Sequence, residues 1–251
     1  MVSSRAAECV RRGTPFPVTE LSVRPFERLA EATAPDGTLL SLCRHDGAYL
    51  IRVDGVELMS TRRSHSEREL ARLACASLAS ATAPQVLIGG LGFGFTLRAA
   101  LEILPADARV LVAELVPEVI EWNRNPEYDL AGDALRDPRV DLRHTDVSNV
   151  LRESPGVFDA ILLDVDNGAE PLTTADNGRL YGAAGIRRTL AALKSDGCVA
   201  YWSATPAPQF MKLLGRVGLQ ASAQQVRAHA TSGPLHTIIL ARRAVKAAPV
   251  A

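Results

Sequence analysis

Four carboxylates in this chain stand just past apolar runs: Glu114 after Val110–Ala113, Asp146 after Val140–His144, and Asp164 and Asp166 after Ala160–Leu163. A glycine-rich stretch, Gly89-Gly90-Leu91-Gly92-Phe93-Gly94, follows Val86-Leu87-Ile88 in the same way. Glycine lets a backbone approach a ligand without a Cβ in between, and a helix starting behind such a turn offers free N–H groups. An acid at the tip of the next strand can accept both hydroxyls of a ribose, and Glu114 stands twenty residues past Gly94. A second acid can accept from a purine amino group. A third, placed where a carbon meets its acceptor, can orient an amine and take its proton. In a dry cleft such acids attract cations strongly. Each residue also has a plain structural use. Glu114 and Asp146 can cap helices, and Asp166-Asn167-Gly168 can be a turn. Their order at successive strand ends favours a nucleoside pocket.

The elements that must position these residues alternate. Apolar runs at Val86–Ile88, Val110–Ala113, Val140–His144, Ala160–Leu163 and Val199–Trp202 are each followed by a helical pattern. The helices are expected near Phe95–Leu104, Pro117–Arg124, Ser148–Arg152, Gly182–Leu193 and Pro208–Val217. Alternation of this kind implies a parallel sheet with right-handed crossovers. Two last strands, Ala221–Arg227 and His236–Ala241, are joined by a loop alone and must be antiparallel. The fold class is therefore α/β, a seven-stranded mostly parallel sheet with helices on both faces. Before it, Leu39–Arg44, Tyr49–Val53 and Val56–Met59 are separated by Asp46-Gly47 and Asp54-Gly55, strong hairpin signals. They predict a small antiparallel β unit, and Ser64–Ala81 predicts a helix capped by Ser64 or Ser66. Residues 1–62 form the arm and β unit, 63–243 the main domain, and 244–251 a tail.

With 251 residues, 47% of them apolar, the chain can bury a full core. Its 28 basic and 28 acidic side chains balance, which gives no general pull toward nucleic acid or a membrane surface. The four cysteines, Cys9, Cys43, Cys75 and Cys198, form no CxxC pair, so neither a disulfide framework nor a zinc site is expected. No other cluster has metal-ligand spacing, and no metal is expected. The charged N-terminus and the lack of a long apolar run predict a cytoplasmic protein.

The stretch Val86–Gly94, with Val112-Ala113-Glu114-Leu115, Asp146 and Phe158-Asp159-Ala160-Ile161-Leu162-Leu163-Asp164, resembles the spermidine synthase (polyamine aminopropyltransferase) family. That family lies within the class I S-adenosylmethionine-dependent methyltransferase superfamily, with a Rossmann-like sheet. The likeness runs over roughly residues 38–242. It implies a transferase that uses S-adenosylmethionine or its decarboxylated form to move an aminopropyl or methyl group onto a small amine, in a homodimer. It places Gly89, Gly90, Gly92 and Gly94 at the donor, Glu114 with Leu115 at the ribose, Asp146 with Val147 at the adenine, and Asp164 at the reacting centre. Asp166 and Asn167 then fall where the family carries a second aspartate and a proline. Ser64-His65-Ser66-Glu67 is the stretch nearest to the family's tyrosine-histidine-glutamate group, which puts His65 and Glu67 beside the acceptor. Asn177-Gly178-Arg179-Leu180-Tyr181 resembles the segment after the catalytic loop. Tyr181, Trp202 and Trp122 are candidate faces for a sulfonium. One departure stands out: the family's glycine loop contains an acid for the donor's amino end, and no acid lies between Gly89 and Leu97. Ring closure within the donor, a nicotinamide-dependent oxidoreductase and a catalytically silent nucleoside-binding homologue are the alternative readings.

Overall fold

The computed structural model describes residues 26–128, 130–165 and 180–244. Four strands open it as an antiparallel meander: β1 (Glu27–Thr33), β2 (Leu39–His45), β3 (Ala48–Val53) and β4 (Val56–Ser60). The two Asp-Gly turns behave as their sequence requires. Asp46, Gly47, Asp54 and Gly55 all have positive φ, the two-residue geometry that matches strand twist. β1 is the one strand the sequence pattern did not indicate. Its composition is poor in β-branched residues, and it forms by pairing along β2, with Arg44 reaching Glu27 across the register at 2.7 Å.

The helix α1 (His65–Cys75) follows and continues as a 3₁₀ turn through Leu78. Ser64 occupies its N-cap position without a side-chain hydrogen bond, so neither expected serine caps it. Then come β5 (Gln85–Gly89), α2 (Phe95–Ile103), β6 (Arg109–Glu114), α3 (Pro117–Arg124), β7 (Val140–His144), α4 (Val147–Glu153) and β8 (Phe158–Leu163). The chain ends in α5 (Ala183–Ala192), β9 (Leu193–Ser203), α6 (Pro208–Arg216), β10 (Leu219–Arg227) and β11 (Leu235–Arg243). The seven-stranded sheet has the order β10-β11-β9-β8-β5-β6-β7, with β11 antiparallel to both of its neighbours.

Both faces of this sheet are covered, and the strands are accordingly apolar in continuous runs. In β5, Val86 and Ile88 join the core shared with α1, α2 and the small sheet, while Leu87 joins the core under α4, α5 and α6. The chain leaves β5 toward β6 and β7 on one side, then returns to β8 on the other. That reversal opens a crevice at the carboxyl ends of β5 and β8, where open α/β sheets bind ligands. Among the described residues no helix is long and apolar enough to cross a membrane.

Candidate active site

A cavity of about 630 Å³ lies over that crevice. Its floor is formed by strand ends and their loops: Gly90, Gly92, Glu114, Asp146, Asp164 and Trp202. Its roof is the small sheet, which contributes Leu40, Ile51, Val53 and Met59. The antiparallel unit is therefore the lid of the site, built by the fold itself.

The glycine loop is tied down at several points. Gly90 donates to the Ala113 carbonyl at 2.9 Å, and Asp164 donates its N–H to the Gly89 carbonyl at 3.0 Å. Gly90 has φ +90°, and a Cβ there would stand 2.4 Å from the Asp164 carbonyl oxygen, so only glycine lets these two strand ends meet. Behind the loop, Asn123 donates to the Gly92 carbonyl at 2.7 Å and accepts from Ala131 N–H at 3.1 Å. A Cβ on Gly92 would meet the Met59 methyl and sulfur at 2.7 and 2.9 Å. The thioether of the lid thus packs on the part of the loop that lacks the family's acid.

Glu114 is buried at the end of β6. Its carboxylate accepts from Leu91 N–H at 2.8 Å and from Val116 N–H at 2.9 Å, joining the glycine loop to the start of α3. Burial raises its pKa, and these N–H donors offset part of the rise. Two hydrogen bonds leave a carboxylate with lone pairs to spare. Asp146 caps α4, accepting from Ser148 N–H at 2.7 Å, while it also faces the cavity. Both acids thus hold their structural and their site positions at once, and Leu115 and Val147 line the cavity beside them.

At the other end Asp164 accepts from Thr96 Oγ1 at 2.8 Å. Glu67, buried in the first turn of α1, accepts from Ser66 Oγ at 2.6 Å. Desolvation pushes the Asp164 carboxyl up to about 6 and the Glu67 carboxyl up to about 7; the charge of Asp164 adds to the rise at Glu67. Among the described residues neither carboxylate has an ion-pair partner. The nearby Arg63 is held by Glu57.

Other expected site residues lie elsewhere. Tyr181 is buried among Tyr201 and Phe210 in the core under α5 and α6, and its hydroxyl donates to the Val165 carbonyl at 3.1 Å. Its neighbour Leu180 faces the cavity instead. Trp122 is core, and His65 does not line the cavity. Gly89 and Gly94 are second to Gly90 and Gly92: the first packs against Leu163 and Val147, the second against Ala131 at the start of α2. Asp166 and Asn167 lie outside the described residues. His236, Thr96 and Met59 carried no sequence signal of their own, and Ser66 was expected only as a helix cap. His236 reaches the site because an antiparallel strand begins where its parallel neighbours end, a consequence of topology that pattern reading can use.

The sheet order, the terminal antiparallel pair and the acids at successive strand ends define the class: the fold is that of the class I S-adenosylmethionine-dependent methyltransferases. Within that class the chain resembles the polyamine aminopropyltransferases. Curated relatives of that name from two strains of Leptospira biflexa serovar Patoc are 29% identical over 154 residues. The match takes in 60% of this chain, which spans about half, 51%, of the length of those relatives. No family model matches. The fold is shared with a spermidine synthase from Thermotoga maritima, with a TM-score of 0.67 and 18% identity, over 86% of this chain and 72% of that one. A spermidine synthase in complex with the transition-state analogue AdoDATO superposes with a TM-score of 0.66, also at 18% identity and with the same coverage. A probable spermidine synthase from Corynebacterium glutamicum gives 0.59 at 17% identity, over 86% of this chain and 79% of the other.

Proposed function

We propose that this cavity binds an adenosyl sulfonium, decarboxylated S-adenosylmethionine, and transfers its aminopropyl arm to a small amine. The amine lone pair attacks the propyl carbon on sulfur, the carbon–sulfur bond breaks, and its electron pair neutralises the sulfonium as methylthioadenosine. The ammonium that forms passes a proton to a carboxylate. Glu114 is suited to the ribose, Asp146 to the adenine amino group, and Asp164 to the reacting amine, with Glu67 facing the same space. Little covalent work is asked of the protein; alignment and electrostatics supply the rate.

One observation carries this reading. Asp164 and Glu67 are two desolvated carboxylates lining one cavity end, and among the described residues no cation is bound to either. Such an arrangement is costly unless a ligand brings positive charge. A sulfonium and an amine both do. Methyl transfer from intact S-adenosylmethionine is the second reading: both donors carry a tail ammonium, and the glycine loop, with no acid between Gly89 and Leu97, does not discriminate between them.

The purified chain incubated with each sulfonium and a panel of mono- and diamines decides between them by mass spectrometry. Methylthioadenosine together with an aminopropylated amine is the expected result. S-adenosylhomocysteine with a methylated amine supports the second reading. Absence of both products, with no heat on titrating any adenosyl sulfonium or thioether, overturns the proposal.

A further inference from the structure

The residues around Glu67 form a hydrogen-bond chain contributed by two distant parts of the sequence. Ser66 Oγ donates to Glu67 Oε2 at 2.6 Å, and His236 Nδ1 lies 2.9 Å from the same Ser66 oxygen. Ser66 is fully buried in α1, while His236 is the second residue of the strand β11 and lines the cavity. A serine hydroxyl has one hydrogen. Since that hydrogen goes to Glu67, the second contact requires His236 to be the donor, with its proton on Nδ1. The imidazole is held in place from the other side by Trp202, edge to face at 4.6 Å between ring centres and 67° between planes.

The charged groups facing this chain are Arg63 from the loop before α1, Glu67 on α1 and Asp164 at the end of β8. Burial and the Arg63 charge lower the pKa of His236, which keeps the ring neutral near pH 7. A neutral ring still donates from Nδ1, and its Nε2 then carries a lone pair.

We propose that His236 is a positioning residue for the acceptor: by donating from Nδ1 to Ser66, it locks the Ser66 hydrogen onto Glu67 and presents one carboxylate orientation as the counter-charge of the incoming amine. The proposal rests on the cavity being an amine-alkylating site. It goes further in assigning a role to the C-terminal strand, which supplies acceptor affinity through two intermediaries and never touches the donor. A structural tie between β11 and α1 would use the same atoms, so the test must separate the two.

Three variants do so. His236→Leu removes the donor, His236→Asn keeps an N–H near the Nδ1 position without a titratable ring, and Ser66→Ala removes the link. The acceptor KM of His236→Leu should rise roughly tenfold, the low end for a hydrogen bond to a charged group, with donor affinity unchanged. The acid limb of its kcat/KM profile should move to higher pH, because the Ser66 hydroxyl, released by His236, no longer keeps its hydrogen fixed on the ionised form of Glu67. His236→Asn should stay within about threefold of the unmodified chain, and the Ser66→Ala/His236→Leu double variant should be no worse than Ser66→Ala alone. Unchanged acceptor KM in His236→Leu, an Asn variant as poor as Leu, or additive losses in the double variant would each overturn the proposal. If the unmodified chain alkylates no amine, the functional reading fails on its own account. The hydrogen-bond chain is then judged by ¹⁵N shifts of the His236 ring at pH 8, assigned by their loss in His236→Asn. A proton on Nδ1 upholds the chain of donors, and a proton on Nε2 overturns it.

Discussion

Replacing Asp164 with Asn should make this protein more stable and less active at once. The carboxyl is desolvated by the cavity walls, and among the described residues only the Thr96 hydroxyl donates to it. Its pKa is pushed from an ordinary 3.8 up to about 6. A raised carboxylate pKa means that the folded state holds the proton more tightly than the unfolded chain does. Folding therefore pays a penalty that begins as pH rises through the unfolded value and is complete above the folded one. At about 1.4 kcal/mol per pH unit, the full penalty near pH 8 is about 3 kcal/mol, and at pH 4.5 about 1 kcal/mol remains.

Asparagine keeps an oxygen for Thr96 and carries no charge, so the Asp164→Asn variant should escape this cost. For a chain of this length 1 kcal/mol corresponds to roughly 2–4 °C in Tm, which puts the expected gain at pH 8 at roughly 6–12 °C. Calorimetric or circular-dichroism melts of both proteins at pH 8 and pH 4.5 provide the measurement, alongside turnover assayed as thioether release. The gain should shrink to about a third on acidification while turnover is lost at both values. A variant less stable than its parent at pH 8, or a gain independent of pH, would refute the claim that Asp164 is held as a costly, unpaired carboxylate.

The remaining expectations concern the donor end and the titration of the pair. Gly90→Ala forces a Cβ to 2.4 Å from the Asp164 carbonyl oxygen at φ +90°, and backbone cannot yield as a side chain would. It should cost at least about 2 kcal/mol and abolish adenosine binding, read by a denaturant melt and by calorimetry; binding within about twofold of the parent would contradict the close approach. Glu114→Ala leaves the Leu91 and Val116 N–H groups without their acceptor, so it should destabilise by about 2 kcal/mol or more, opposite in sign to Asp164→Asn. Acceptor affinity should fall as pH drops through about 7 and then about 6, because protonation of Glu67 and Asp164 removes the negative charge an ammonium needs. Acceptor KM measured from pH 8 to pH 5.5 tests this, and a flat profile would count against the pair as the amine site.

Much of this arrangement could be read from the chain because parallel topology does the work of assembly. Once Val86–Ile88, Val110–Ala113, Val140–His144 and Ala160–Leu163 are strands of one parallel sheet, Glu114, Asp146 and Asp164 must emerge at the same edge. No knowledge of side-chain packing is needed for that step. What escaped depends on long-range packing. β1, with Glu27, Arg28 and Glu31 among its seven residues, has no intrinsic pattern and exists because β2 offers an edge to pair with. Met59 and Arg63 come to the site only through the way the small sheet folds over it. Tyr181 was chosen for chemistry its type can do, yet its strand-facing side is the wrong face of the sheet, where Tyr201 and Phe210 enclose it. An aromatic residue near a site segment is more often core, and here the neighbour Leu180 takes the exposed position.

Four of the carboxylates that line the cavity, Glu114, Asp146, Asp164 and Glu67, differ in how much hydrogen bonding the backbone gives them. Glu114 receives two N–H groups and Asp146 caps a helix, so the end of the cavity proposed to hold the nucleoside is tied to the backbone. Asp164 and Glu67 receive one hydroxyl each, so their charge is under-compensated. Preorganisation at one end and unmet charge at the other are complementary ways to treat a ligand that is an adenosine with a cation attached. A nucleotide carrying phosphates would suffer at the acidic end, and a neutral nucleoside would leave that end unsatisfied. The lid strengthens the selection, since Met59 and Leu58 give the space an apolar wall, which lowers the dielectric in which Asp164 and Glu67 act. The small sheet therefore serves the chemistry through the electrostatics of the sites beneath it, even though no acid of its own needs to touch the reacting atoms.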